Sequence, residues 1–463
     1  MNLKIVYSLI ALIGMINIFA PEPTLQDTLI KQIVSNPKTY SAQFATLPLD
    51  LKRRILQELA SKEMQPTAQL PLNMDDVELL SWSPDGNSLL ALSADTGKVP
   101  VVLLDAKTGT VRKTMQEKRN TIKKVAWLPG NKVAILGSFV QVPLIYLWDL
   151  TSGKKLSAFS IMDGKKGQED LAWEDPRGRH DPRGGDALSP DGTLVASPSA
   201  VQAAIQLWDI ATATVQTTLK ENSKSGIAGY GRSHAISWSP DGTMVAAGQK
   251  NNDDVALWNI QAPNTPYTLY SPIRSTDHIA WSPDSTKIAL TGYLEDDIAI
   301  YDVHASATKQ PTATLYAKIP NHEGDMPKWS ADGKTLYINK YYHDQDMQQW
   351  DVATKKFRNN LPSGKLSPDN TKIAQSNDKK KTTTIFDGAT GKKLFTLPAT
   401  GIMAWSPDSS ELIIADNEPR YSLAAIGYGR QQASRQLSRW KLPSCNFTDE
   451  DQQLTCLFNF YAQ

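Results

Sequence analysis

The chain has 463 residues, and its 49 Lys and Arg nearly cancel 48 Asp and Glu, for a formal net charge of +1. That balance leaves no basic footprint for a nucleic-acid partner. Two cysteines, Cys445 and Cys456, exclude a disulfide-rich scaffold, though the pair could form one bond in an oxidising compartment.

Residues 1–20 carry one early cation, Lys4, followed by an uncharged, largely aliphatic run from Ile5 to Ala20. This is the layout of a signal peptide, and it is short for a membrane span. Ala20 suits a cleavage site, whereas Ile18 and Pro21 do not. Export to the periplasm or beyond is the expectation, with an uncleaved anchor over residues 5–20 as the alternative and coincidence as the third. Over residues 21–70 the apolar period moves toward 3.6. Leu25, Leu29, Ile30 and Ile33 suit one helix, and Leu51, Ile55, Leu56 and Leu59 suit another, introduced by Leu47-Pro48.

From residue 71 to 443 a repeat takes over. Six tryptophans sit directly before a Ser-Pro-Asp-Gly-like turn: Trp82, Trp127, Trp238, Trp281, Trp329 and Trp405. Five more, Trp148, Trp208, Trp258, Trp350 and Trp440, end an apolar stretch further on. One unit reads as four short strands: Ala235 to Trp238, Met244 to Ala247, Val255 to Ile260 and Tyr267 to Tyr270. Proline presets the first central dihedral of its turn, Asp bonds back to the backbone, and Gly accepts the left-handed position. The turn recurs near Pro84, Pro129, Pro190, Pro283, Ala331, Pro368 and Pro407. Four strands cannot close a core alone, so such units must stack. The count is eight, with seven as the alternative because the end units are irregular.

The third-strand signature, Trp148-Asp149, Trp208-Asp209 and Trp350-Asp351, resembles that of the WD40 β-propeller family, and hairpins such as Thr151-Ser152-Gly153-Lys154 follow it. The Trp-Ser-Pro-Asp-Gly turns also resemble the propellers of TolB-type periplasmic proteins and of prolyl-oligopeptidase-like enzymes. The resemblance implies an all-β, WD40-like propeller with a small N-terminal helical segment. Its Gly-His dipeptide is missing here, which removes the family's His–Asp network. Leu47-Pro48-Leu49-Asp50-Leu51, with Ile55, Leu56 and Leu59, is similar to the opening of an F-box, which would imply docking to a ubiquitin-ligase adaptor in a host cell. The plainer reading is a helical cap. At the far end, residues 444–463 begin with Thr448-Asp449-Glu450-Asp451, a helix start. Leu454, Leu457, Phe458 and Tyr461 then form an apolar stripe, predicting a short helix packed on the propeller or on the N-terminal helices.

Antiparallel blades put the Ser-Pro-Asp-Gly turns and third hairpins at one end, so what differs between blades lies at the other. Two features stand out there. An insertion over about residues 160–186 holds Trp173, Arg177, Arg179, His180 and Arg183, the composition of a contact surface. Its plain alternative is a solvated loop that Trp173 pins down. An acidic arc joins Asp253-Asp254, Asp296-Asp297 and Asp344/Asp346 with Glu323 and Asp325; solvated turns explain such residues as well.

Catalytic signatures are lacking: no Gly-x-Ser-x-Gly, His-Glu-x-x-His, Cys-x-x-Cys or phosphate loop occurs. The chain therefore reads as a non-catalytic, monomeric bacterial scaffold for a protein partner, without cofactor or metal, touching a membrane only through an uncleaved N-terminus. The alternatives are the F-box-like adaptor and a propeller enzyme, such as a lactonase or quinone-dependent dehydrogenase, acting in the central channel.

Overall fold

A serine two residues before an aspartate can tie a turn shut, and this chain does so in every blade that carries the motif. Ser239 donates its hydroxyl to Asp241 at 2.6 Å and accepts the Met244 N–H at 2.9 Å, while Thr243 N–H donates to Asp241 at 3.0 Å. The strands on either side of such turns then pair. The computed structural model describes all residues except 1–22, 62–65, 73–76, 94–97, 119–120, 140–141, 161–186, 199–203, 221–234, 249–253, 272, 274–275, 293–296, 305–309, 321–325, 340–346, 359, 417–434, 443–449 and 462–463.

Among the described residues there are eight four-stranded antiparallel sheets, each with its strands in simple sequential order apart from the last. Blades 1 to 8 occupy residues 77–118, 121–160, 187–220, 236–270, 276–319, 326–357, 365–397 and 401–441. Blade 4 shows the predicted strands as Ile236–Trp238, Met244–Gly248, Asp254–Asn259 and Tyr267–Tyr270. The arrangement is an eight-bladed propeller.

Blade 8 takes three strands from its own stretch, Gly401–Trp405, Glu411–Asp416 and Arg435–Lys441. Its outer strand is Ala68–Leu72, which pairs as Ala68↔Arg439, Leu70↔Leu437 and Leu72↔Arg435. The ring is thus closed by joining the start of the propeller to its end. Residues 68–70, read from the sequence as the tail of a helical segment, are strand instead. Pro71 fits there because an outer edge strand can lack one donor.

The tryptophans are the packing units between blades. Trp82, Trp148, Trp208, Trp238, Trp258, Trp281, Trp329, Trp350, Trp405 and Trp440 are all buried, and Trp127 is partly so. The first-strand tryptophans also donate backward around the ring. Trp82 reaches Ala404 O at 3.1 Å, Trp329 reaches Ala280 O at 3.0 Å, Trp405 reaches Lys365 O at 2.9 Å, and Trp281 reaches Ser237 O at 3.4 Å. Each acceptor is the residue that precedes the tryptophan, or its Leu366 equivalent, in the previous blade. A single side chain therefore supplies both apolar area and a satisfied indole N–H.

The helices form a second compact unit. It contains α1 (Pro23–Ser35), a single 3-10 turn at Pro37–Tyr40, α2 (Ser41–Phe44), α3 (Leu49–Ser61) and α4 (Glu450–Tyr461). Its core gathers Leu29, Ile30, Ile33, Phe44, Leu47, Leu51, Ile55, Leu59 and Phe458. Phe44 and Phe458 stack with centroids 3.9 Å apart. The C-terminal helix thus completes the core of the N-terminal helices.

Candidate interaction surfaces

The face that carries the Ser-Pro-Asp turns is closed on itself. Serine-to-aspartate bonds of 2.5–2.7 Å recur at Ser83–Asp85, Ser189–Asp191, Ser282–Asp284, Ser330–Asp332, Ser367–Asp369 and Ser406–Asp408. These carboxyls sit below the usual range. For Asp85, Asp332 and Asp408 the serine hydroxyl is the chief cause. For Asp191, Asp241, Asp284 and Asp369 burial pushes the other way, and the serine hydroxyl with a backbone N–H outweighs it.

The aspartate of the Trp-Asp signature serves the neighbouring hairpin. Asp351 accepts the Thr354 N–H at 2.7 Å and the Thr354 hydroxyl at 2.8 Å, and the Thr354 N–H first, then its hydroxyl, hold the Asp351 carboxyl down to about 2. Asp105 with Thr108, Asp149 with Ser152, Asp209 with Thr212 and Asp387 with Thr390 repeat the arrangement. The two turns of a blade are then joined through backbone, as in Ala106 N–H to Asn87 O at 3.1 Å and Val352 N–H to Lys334 O at 3.0 Å. A polar group already bonded within its own turn offers a partner little, so this face is scaffold.

Where glycine is absent from the left-handed turn position, the blades make use of the substitute. Ser285 and Ser409 both adopt φ 60°. Their hydroxyls accept N–H bonds from Asp241 and Asp369 of the preceding blades, each at 3.1 Å. The sequence shows only a missing glycine there.

On the opposite face, Trp173, Arg177, Arg179 and Arg183 lie outside the described residues, as do Glu323 and Asp325. Asp254 opens the third strand of blade 4, paired with Tyr270. Asp297 stands just before the third strand of blade 5, and its carboxylate lies 2.5 Å from the ammonium of Lys318. That neighbour neutralises one member of the acidic arc. Blade 7 bears the second turn of opposite charge, Lys379-Lys380-Lys381, shaped by a Lys380 N–H to Asn377 bond of 2.9 Å. The run of lysines was legible in the sequence but was overlooked beside the aspartates.

The Leu47, Leu51 and Ile55 face is not free for an adaptor. These side chains are 5%, 4% and 0% exposed, within the core of the helical unit itself. Cys456 is disulfide-bonded. In a chain with two cysteines, Cys445 is its one available partner, and Cys445 lies outside the described residues. Residues 1–20, the candidate signal peptide, lie outside them too. Among the described residues no group of three or more His, Cys, Asp or Glu is arranged to hold a metal ion, and no helix is long and apolar enough to cross a membrane.

No family model matches the chain, and no curated protein matches its sequence. Solved structures do match. A chain in the crystal structure of the mitotic checkpoint complex is 16% identical over 82% of this chain and 92% of its own, with a TM-score of 0.44. The β-propeller domain of Myceliophteria thermophila Cps50 (Swd1) is 14% identical over 71% of this chain and 97% of its own, with a TM-score of 0.45. The assignment rests on this chain's own blades: four antiparallel strands each, Trp-Asp ends on third strands, and closure by an N-terminal outer strand. The protein is a WD40-type β-propeller with eight blades.

Proposed function

We propose that this propeller is an exported, non-catalytic scaffold that holds a protein partner on the face opposite its Ser-Pro-Asp turns. The observation that carries the reading is the contrast between the faces. One repeats the same internally bonded turns from blade to blade, so discrimination between partners falls to the loops that differ. The insertion with Trp173, Arg177, Arg179 and Arg183 supplies an aromatic and cations. Asp254, Glu323, Asp325 and the ion-paired Asp297 form an acidic rim beside the lysines of blade 7.

The disulfide at Cys456 supports export, because such bonds persist in oxidising compartments. The adaptor reading is disfavoured by the burial of Leu51 and Ile55, since docking through them would first require opening a packed core. Replacing Arg177 and Arg179 together with Ala tests the scaffold reading. The melting temperature should hold while a cross-linked envelope partner is lost. A lowered melting temperature, or full retention of every partner, would reject the role of the insertion.

A further inference from the structure

The residue just before each first-strand tryptophan occupies the same place in all eight blades. It is Ser81, Ala126, Ala187, Ser237, Ala280 and Ala404 in six of them, and Lys328 and Lys365 in the adjacent blades 6 and 7. First strands of neighbouring blades touch one another, so they form the inner ring of the propeller. The six small residues keep that position open. The two lysines fill it with charge.

Both lysines are exposed to solvent at the innermost strands. Lys365 donates its ammonium to Met403 O at 2.7 Å, across to blade 8, which fixes one N–H and leaves the others available. Among the described residues neither lysine has a salt bridge, and the described first-strand residues include no carboxylate. Burial holds the Lys328 ammonium below its ordinary value; burial and then repulsion from Lys328 do the same for Lys365. Two like charges kept together at the wall of an enclosed channel cost free energy that an anion between them would recover.

We infer that Lys328 and Lys365 form an oxyanion site at the inner ring between blades 6 and 8, taking a phosphate or carboxylate group of a small ligand. The site lies beside the Ser330 and Ser367 turns, so it opens toward the scaffold face rather than the variable loops. It is independent of the partner surface proposed above. The competing account makes Lys328 a spacer. Blade 7 has Leu366 where other blades have tryptophan, and the lysine stem would fill the missing indole's volume.

Residue-resolved amine modification of the full-length protein, read by mass spectrometry, separates the two. Near neutral pH, Lys328 and Lys365 should react faster than the exposed turn lysines Lys356 and Lys393. Inorganic phosphate should slow both several-fold while leaving Lys356 and Lys393 unchanged. Acetate in a parallel titration distinguishes the ligand groups: protection by phosphate alone selects a phosphoryl ligand, and protection by both admits a carboxylate. In K328M, which keeps the stem and removes the charge, the protection of Lys365 should fall. If neither anion protects either lysine, or K328M leaves the protection of Lys365 intact, the site is overturned and the spacer account stands.

Discussion

The ammonium of Lys52 lies 2.6 Å from the carboxylate of Asp451, although 399 residues separate them in the chain. Lys52 is 1% exposed, donates also to Ala45 O at 2.7 Å, and sits 5.8 Å from the centroid of the Phe44 ring. Asp451 belongs to the first turn of α4, where a carboxylate also suits the helix dipole. The pair, together with the Phe44–Phe458 stack, is why the two ends of the chain make one helical core.

Removing the acid should therefore hurt more than removing the base. Asp451→Asn leaves a buried ammonium with one carbonyl partner, at a cost of about 1–3 kcal/mol. Lys52→Met keeps the stem and removes the charge, so its cost should be smaller. Hydrogen exchange in residues 23–61 and 450–461 reads the difference. Equal loss of protection in both variants would argue against a buried-charge origin.

Trp258→Ala and Trp350→Ala should each destabilise the propeller by about 3–5 kcal/mol, the range for deleting a large aromatic from a core. Trp258 is fully buried and donates to Lys220 O at 3.1 Å; Trp350 is 3% exposed. Thermal melting is the measurement, and an unchanged midpoint would contradict the packing between blades.

Ser285 offers a finer test. Ser285→Ala keeps an unfavourable left-handed backbone and loses the bond from Asp241 N–H, a net loss of about 1 kcal/mol. Ser285→Gly loses the same bond but relieves a backbone cost of about 1–2 kcal/mol, so it should be nearly neutral. Denaturant midpoints that rank glycine below alanine would refute this account of the turn.

The turn aspartates predict acid sensitivity. Their carboxyls titrate below the ordinary 3.8, toward about 2 for Asp351, where the Thr354 N–H is the leading cause. Protonation therefore favours the unfolded chain, in which they bind protons more readily. The stability they confer is fully present above about pH 4 and is lost as the pH falls through the folded values. Melting temperatures between neutral pH and about pH 2.5 should decline steeply only at the acid end. Simultaneous Asp241→Asn and Asp369→Asn should flatten part of that decline.

The repeat was legible because the tryptophans and Ser-Pro-Asp turns recur in phase, and local turn chemistry is written in adjacent residues. What depends on distant pairing was not. Ala68–Leu72 is too short to announce itself as a strand, and its partner lies beyond residue 435. The aspartate of Trp-Asp was visible as a signature, but its bonds to Thr354-like residues are a matter of geometry. Likewise, Leu51 and Ile55 show an amphipathic face without showing that Phe458 contributes to covering it. Lys328 and Lys365 stand out once the blades are aligned on their tryptophans; read singly, each is an ordinary strand lysine. Of the proposed contact residues, Asp297 is placed with its neighbour Lys318, and Trp173 and the arginines lie outside the described residues.

The most direct test of the scaffold account is a cross-linking footprint of the captured partner on the full-length protein. The account predicts cross-links on loops opposite the Ser-Pro-Asp turns, within residues 161–186 and at Lys379, Lys380 or Lys381. A footprint confined to the turn face, at Lys107, Lys154 and Lys392, would contradict it.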